Sequence, residues 1–309
     1  MKYAIFSDIH GNYPALVAAL ADARAQGADT YLFLGDYASL IPWGNDVVNV
    51  LRQQKNSYVI RGNGEDYFIA FKHKNKADMT DEQMKPIYWG YNSLSPENLM
   101  YLSNLPEKIV ISSHGTNIHM AHTMDFFYHP ASFFYAYTYE KMMRAAPISH
   151  DEYLVQGRAA LLTCPKTLAK IDALPEGIYL LGHNHAQFHM EYEGRLFINP
   201  GSCGMAVDWN PTAAYTILSY ENDSWMVCER RVMYDLDALT AGMDTSGFTA
   251  YAPVWSDVLK HVQLTGKDYF VMFVNHIGET AKLLGYHEHP VSQEVWDIAV
   301  ASWDMDALA

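Results

Sequence analysis

Cysteine is scarce in this chain, and so is positive charge. The three cysteines, Cys164, Cys203 and Cys228, show no CxxC spacing, and their odd number argues against a disulfide framework. A reducing cytoplasm is the compartment that fits. Lysine and arginine number 21 against 35 aspartates and glutamates, giving a formal net charge of −14. Affinity for a phosphate backbone needs clustered cations, so this balance argues against general nucleic-acid binding. No apolar run reaches the ~18 residues of a membrane-spanning helix. The chain opens at once on a strand-like run, with neither a basic leader nor the apolar core of a signal peptide. Internal repeats, low-complexity stretches and obvious linkers are missing as well.

What is present suffices for a large core: half of the 309 residues are hydrophobic. The length suits one main α/β domain with added helical segments. Lys2–Ser7 reads as a buried strand. Asn12 can cap a helix whose first turn accepts Pro14, whose apolar stripe is Leu16, Ala19, Leu20 and Ala23, and which Gly27 can end. Thr30–Leu34 is a second strand. Asn45 can cap a helix carrying Val47, Val48 and Leu51, and Tyr58–Ile60 is a third strand. This alternation predicts a parallel βαβαβ sheet. Residues 67–105 read as amphipathic helix. Lys108–Ser112 and Asn117–Ala121 flank a His114-Gly115 turn as a hairpin. Residues 125–172 are aromatic, rich in Met and mostly helical, an insertion expected to cover the site. Ile178–Leu181, Leu196–Ile198, Ala214–Tyr220 and Trp225–Val232 read as strands, and from Asp235 the pattern is helical to the end.

Five segments carry chemistry: Asp8-Ile9-His10, Gly35-Asp36, Gly62-Asn63, His122, and Gly182-His183-Asn184-His185. Each lies at the end of an expected strand, where open α/β sheets bind ligands. Any one of them alone is an ordinary turn; the ordered set is what points to a site. Together they offer carboxylate, amide and imidazole ligands suited to Mn, Fe or Zn, with no thiolate that would mark a structural zinc site. One carboxylate, Asp36, can bridge two ions ~3.5–4 Å apart. His114 is rejected as a ligand because it sits in the hairpin turn. His119 and His189 read as strand residues, and His261, His276, His287 and His289 as surface or packing residues.

The order DIHGN, GD, GN, a strand-borne His, GHNH and INPGS resembles the calcineurin-like metallophosphoesterase superfamily, in particular its compact bacterial and archaeal branch. The resemblance covers roughly residues 1–232, including the insertion at 125–172, and leaves 233–309 as a helical C-terminal extension packed on the core. It implies a sandwich of two mixed β-sheets flanked by helices. It also implies two divalent ions, one held by Asp8, His10 and His185, the other by Asn63, His122 and His183, with Asp36 between them. Asp36, Asn63 and His122 would then act in catalysis, and Asn63 would touch substrate; apart from the resemblance, Arg144, one of the insertion's cations with Lys141 and Arg158, could neutralise substrate phosphate. The implied reaction is hydrolysis of a phosphodiester or phosphoanhydride by a metal-activated hydroxide, with nucleotides and dinucleoside polyphosphates among the candidate substrates. The alternative is a non-catalytic scaffold of the same fold, but every inferred ligand position holds a competent ligand. The Asn199-Pro200-Gly201-Ser202 run is expected to be a structural turn.

One departure stands out. Many relatives carry a proton-donating His directly after the metal-binding Asn, and here Gly64 stands in its place. Leaving groups that depart without a proton should therefore be favoured, unless an acid comes from the insertion, where His129 and His150 are the histidines to examine. The insertion's aromatic residues Phe126, Phe127, Phe133, Phe134, Tyr135, Tyr137 and Tyr139 could stack a base or form ordinary core.

Overall fold

Strand β1 (Lys2–Phe6) is buried on both faces because a layer covers each. Tyr3 and Ile5 point into the space between two sheets, and Ala4 and Phe6 point toward helices on the far side. The computed structural model describes residues 1–305 apart from 125–126, 128–133 and 135. The first sheet adds β2 (Thr30–Phe33), β3 (Ser57–Val59), β9 (Ala213–Glu221) and β10 (Ser224–Val232), in the order β10-β9-β1-β2-β3. Strands β1, β2 and β3 are parallel, as the alternation predicts, while β9 and β10 run antiparallel to their neighbours. The second sheet is β4 (Lys108–Ser113), β5 (Thr116–Ala121), β6 (Gly177–Leu180), β7 (Phe188–Tyr192) and β8 (Arg195–Asn199), in the order β4-β5-β6-β8-β7. Here β5, β6 and β8 are parallel and the two edge pairs antiparallel. Strand β7 contains His189, which the sequence placed in a strand without bounds.

Ile5, Leu32, Ile118, Met120, Leu180 and Ile198 fill the space between the sheets. Helix α1 (Tyr13–Ala25) packs its Leu16, Ala19, Leu20 and Ala23 on the outer face of the first sheet, and Asn12 Oδ1 caps it by accepting Ala15 N–H. Helix α2 (Gly44–Gln53) is not capped by Asn45. That side chain instead accepts Ser95 N–H and the Asn98 amide, tying α2 to α5 (Pro96–Ser103). The 67–105 stretch resolves into α3 (Asn63–Phe71), α4 (Lys85–Ser93) and α5. The β4–β5 turn has positive φ at both central residues, His114 (+48°) and Gly115 (+75°), the geometry that matches hairpin twist.

Within the insertion, α6 (Ala136–Ala145), α7 (His150–Leu162) and α8 (Pro165–Asp172) lie against the outer face of the second sheet. Phe127, Phe134 and Tyr153 are buried against Phe188 and Phe197. These aromatics are core. Phe126, His129, Phe133 and Tyr135 lie outside the described residues, as does the side chain of Tyr137. The C-terminal extension forms α9 (Leu236–Thr245), α10 (Phe248–Tyr251), α11 (Pro253–Thr265), α12 (Tyr269–Leu283) and α13 (Gln293–Ser302). It buries Trp255, Leu259, Phe273 and Ile277 together with Leu40, Ile41, Met205 and Val207 of the sandwich loops. Among the described residues, no helix is long and apolar enough to cross a membrane.

Candidate metal centre

The loops after β1, β2, β5 and β6 meet at one edge of the sandwich and are stitched by their own backbones. Asp8 N–H donates to Gly35 O (3.1 Å), His10 N–H to Asp36 O (2.9 Å) and Gly182 N–H to His122 O (2.9 Å). Asp8, His10, Asp36, His183 and His185 all have positive φ, a strained backbone for residues with a Cβ. Such outliers cluster where a site holds side chains in place. Gly62 is required by proximity: a Cβ there would lie 2.3 Å from Asp36 Oδ1.

Two groups of ligand atoms result. Asp8, His10 and His185 form one, and Asp36, His122 and His183 the other, with atoms of each group within 4.8 Å of one another. His185 Nε2 lies 3.3 Å from Asp8 Oδ1 and 3.1 Å from His10 Nε2. Asn63 Oδ1 adds to the second group, 3.0 Å from His122 Nε2. Asp36 stands between them, its Oδ2 3.9 Å from His10 Nε2 and its Oδ1 3.6 Å from His122 Nε2. Backbone and side-chain partners fix the rings of His122, His185 and His10. Nδ1–H of His122 donates to Leu34 O (2.7 Å), that of His185 to Met205 O (2.8 Å), and His10 Nδ1 meets Ser39 Oγ at 3.2 Å. Each Nε2 is thereby turned inward, the arrangement expected of metal-binding imidazoles.

The electrostatics fit cations. Asp8 is fully buried, and its Oδ1 has no hydrogen-bond partner, an orphan that a cation would satisfy. Burial alone would lower the His122 pKa, but the facing Asp36 and Asp8 carboxylates outweigh it and hold the ring at about 10. His185 is likewise raised against its burial by Asp8. Burial first, then His185 beside His10 and His122 beside His183, hold these two rings down at about 4. Burial raises the Asp8 and Asp36 carboxyls, yet facing histidines win and keep both below the ordinary carboxylate range. Without metal, His122 thus keeps a proton against the two carboxylates, and metal uptake must displace it.

Several residues at the centre were not singled out from the sequence. Glu65 is completely buried, and its carboxylate accepts the N–H groups of Asp36, Tyr37 and Gly62, each at 2.9 Å. It ties the Asp36 loop to the Asn63 loop. Burial first, then the Asp36 charge, pushes its carboxyl up to about 7. The signal was concealed because Glu65 occupies the capping-box position of α3 while Gly62, not Ser or Thr, precedes the helix. Glu65→Gln should leave the fold intact by circular dichroism and weaken metal binding about 10- to 100-fold in a chelator competition. Unchanged affinity would remove Glu65 from this role.

Asn199 and Ser202 bond backbone groups, including Gly182 O (3.0 Å) and Asp8 O (2.6 Å), which is the work of a structural turn. Gly64 is helical, and its N–H donates to Asp36 Oδ1 (2.7 Å). A Cβ there would lie 3.0 Å from that oxygen, so the Asp36 carboxylate is what opposes a side chain at 64. His150 is exposed and pairs with Glu229 (2.7 Å), which also holds His189. Arg144 donates through Nε to Glu140 Oε1 (2.5 Å) and lies over the Tyr269 ring.

A cavity of about 290 Å³ opens above the ligands. Among the described residues its walls come from 39–40, 64–87, the 205–207 loop and the C-terminal extension, and not from the insertion expected to cover it. His289, read from the sequence as a surface residue, is exposed but stands at its rim.

A family model described as the calcineurin-like phosphoesterase superfamily domain matches residues 1–223. An uncharacterised protein of Methanocaldococcus jannaschii is 26% identical over 237 residues, 75% of this chain and 88% of that protein. A solved metallophosphoesterase of Sphaerobacter thermophilus is similar over 86% of this chain and 99% of its own, at 23% identity and a TM-score of 0.60. A hypothetical protein of Pyrococcus horikoshii is similar over 84% of this chain and 97% of its own, at 18% identity and a TM-score of 0.56. At these identities the two solved structures establish likeness of fold.

Proposed function

The chain belongs to the calcineurin-like phosphoesterase superfamily, and from that premise we propose that it hydrolyses a phosphodiester or phosphoanhydride at a two-metal centre. Asp8, His10 and His185 would hold one ion and Asn63, His122 and His183 the other, with Asp36 placed to serve both. The observation that carries this reading is the placement of Asp36, whose two oxygens face one histidine of each group at 3.9 and 3.6 Å. When bound, a metal pair supplies positive charge for phosphoryl oxygens and a water acidified to a pKa of ~7. The protein's own contribution is orientation. Leu34, Met205 and Ser39 fix the rings, Gly64 N–H and the Glu65 carboxylate fix Asp36, and Asn63 presents an amide to the reacting phosphate. The local cations explain how a chain of net charge −14 could take an anionic substrate.

Gly64 leaves the leaving group without its neighbouring acid. Asp268 lines the cavity, and burial raises its carboxyl to about 6. Its Oδ1 accepts Val271 N–H (3.0 Å) at the start of α12, a use that favours the charged form over the acid. Single-turnover rates across aryl and alkyl esters should therefore fall steeply as leaving-group pKa rises. A flat dependence would show that an acid operates, a group worth typically ~10²–10⁴-fold.

A further inference from the structure

The family domain supplies the floor of the cavity, but much of its wall comes from residues beyond 223, where the family match ends. Leu40, Met84 and Met205 of the domain face the same space as Trp255, Phe270 and Val274 of the extension. Leu40, Met84, Met205 and Trp255 are buried, and Trp255 Nε1 is already committed to Glu82 O (2.9 Å). The charged wall residue from the extension is an acid, Asp268, 3% exposed. Among the described residues lining the cavity there is neither lysine nor arginine. Where α12 begins in this wall, the Asp268 carboxylate already takes Val271 N–H and Lys267 O takes Tyr269 N–H, so two donors of that helix start are spent within the protein.

We infer that the pocket selects a phosphate ester whose organic group is apolar and uncharged, and that the C-terminal extension is the element that sets this preference. The inference rests on the phosphoesterase reading above for its phosphate. One phosphoryl group can be met at the metal ligands. A second or third would lie against a wall dominated by Leu40, Met84, Trp255, Phe270 and Val274, whose polar groups are neutral side chains such as Gln83 and Tyr67 and the Asp268 carboxylate, without the Arg or Lys that phosphate recognition uses. Polyphosphate chains are thus disfavoured, and an alkyl or aryl group gains what the wall offers, burial of apolar surface.

The test uses the full chain loaded with manganese. Methyl, butyl, hexyl and benzyl 4-nitrophenyl phosphates share one leaving group, and thymidine 5′-(4-nitrophenyl phosphate) serves as nucleotide comparator. In parallel, methyl- and hexylphosphonate are titrated calorimetrically, which reads the pocket without turnover. Values of kcat/KM and phosphonate affinity should rise by up to about fourfold per buried methylene until the wall is covered. The hexyl ester should exceed the thymidine ester. Phe270→Ala should flatten the rise, and Val274→Lys should reverse the order of hexyl and thymidine esters. Both positions are half-buried, and circular dichroism on each variant reads whether the fold is kept. A flat chain-length series, or preference for the thymidine ester in the unmodified protein, overturns the inference and leaves the phosphoesterase reading standing. Hexylphosphonate binding above methylphosphonate with no ester hydrolysed supports the pocket and defeats the phosphoesterase reading instead.

Discussion

Asp36→Asn should abolish phosphoester hydrolysis, by about 10³-fold or more, equivalent to at least ~4 kcal/mol of transition-state stabilisation. The carboxylate faces both ligand groups, with Oδ2 toward His10 and Oδ1 toward His122. Its Oδ1 also accepts Gly64 N–H. An amide has one acceptor in place of two, so it must turn its NH2 either toward His10 or toward the Gly64 donor. It also removes the negative charge that two cations would share. Metal content should therefore fall by more than one ion per chain. A variant that keeps two ions and near-normal turnover would place the bridge on another residue.

The second large effect separates two histidines eight positions apart on one hairpin. His122→Ala should lower activity by about 10²-fold or more, while His114→Ala should change it by less than about twofold. His122 is buried, its Nε2 3.6 Å from Asp36 and 3.0 Å from Asn63 Oδ1, its Nδ1–H spent on Leu34 O. His114 sits at the far end, in the positive-φ turn, stacked on Tyr220 with ring centroids 4.2 Å apart. Steady-state kinetics with metal content measured alongside reads both. Equal losses, or the reverse order, would contradict the hairpin's orientation toward the site.

Why the ligand set was legible and its surroundings were not follows from the reach of each interaction. Asp8, Asp36, Asn63 and the His183–His185 pair each follow a strand in a short polar turn, so local pattern places them at one sheet edge. His122 was found by the strand before it. Glu65 acts across loops through backbone N–H groups, and nothing in a Gly-Asn-Gly-Glu run discloses which backbone a buried carboxylate will serve. Asn45 illustrates the opposite failure: its type suits a helix cap, but Ser95 and Asn98 take its side chain from 50 and 53 residues away. The aromatic content of the insertion suggested a lid. Among the described residues, Phe127, Phe134 and Tyr139 instead satisfy the apolar outer face of the second sheet, where Phe188 and Phe197 need cover. The wall role of the extension depends on how α11 and α12 dock on the 205–207 loop, a tertiary contact that helical periodicity alone does not specify.

The most direct test of the two-metal claim is titration of the metal-free protein with Mn²⁺ in weakly buffered solution near pH 7, following bound metal, released protons and hydrolysis of bis(4-nitrophenyl) phosphate together. Binding should saturate at two ions per chain, with activity appearing as the second ion is taken up. Protons should be released, because His122 holds its own up to about 10 while the site is empty. Turnover that survives exhaustive chelation, or that is complete with one ion bound, would contradict the account.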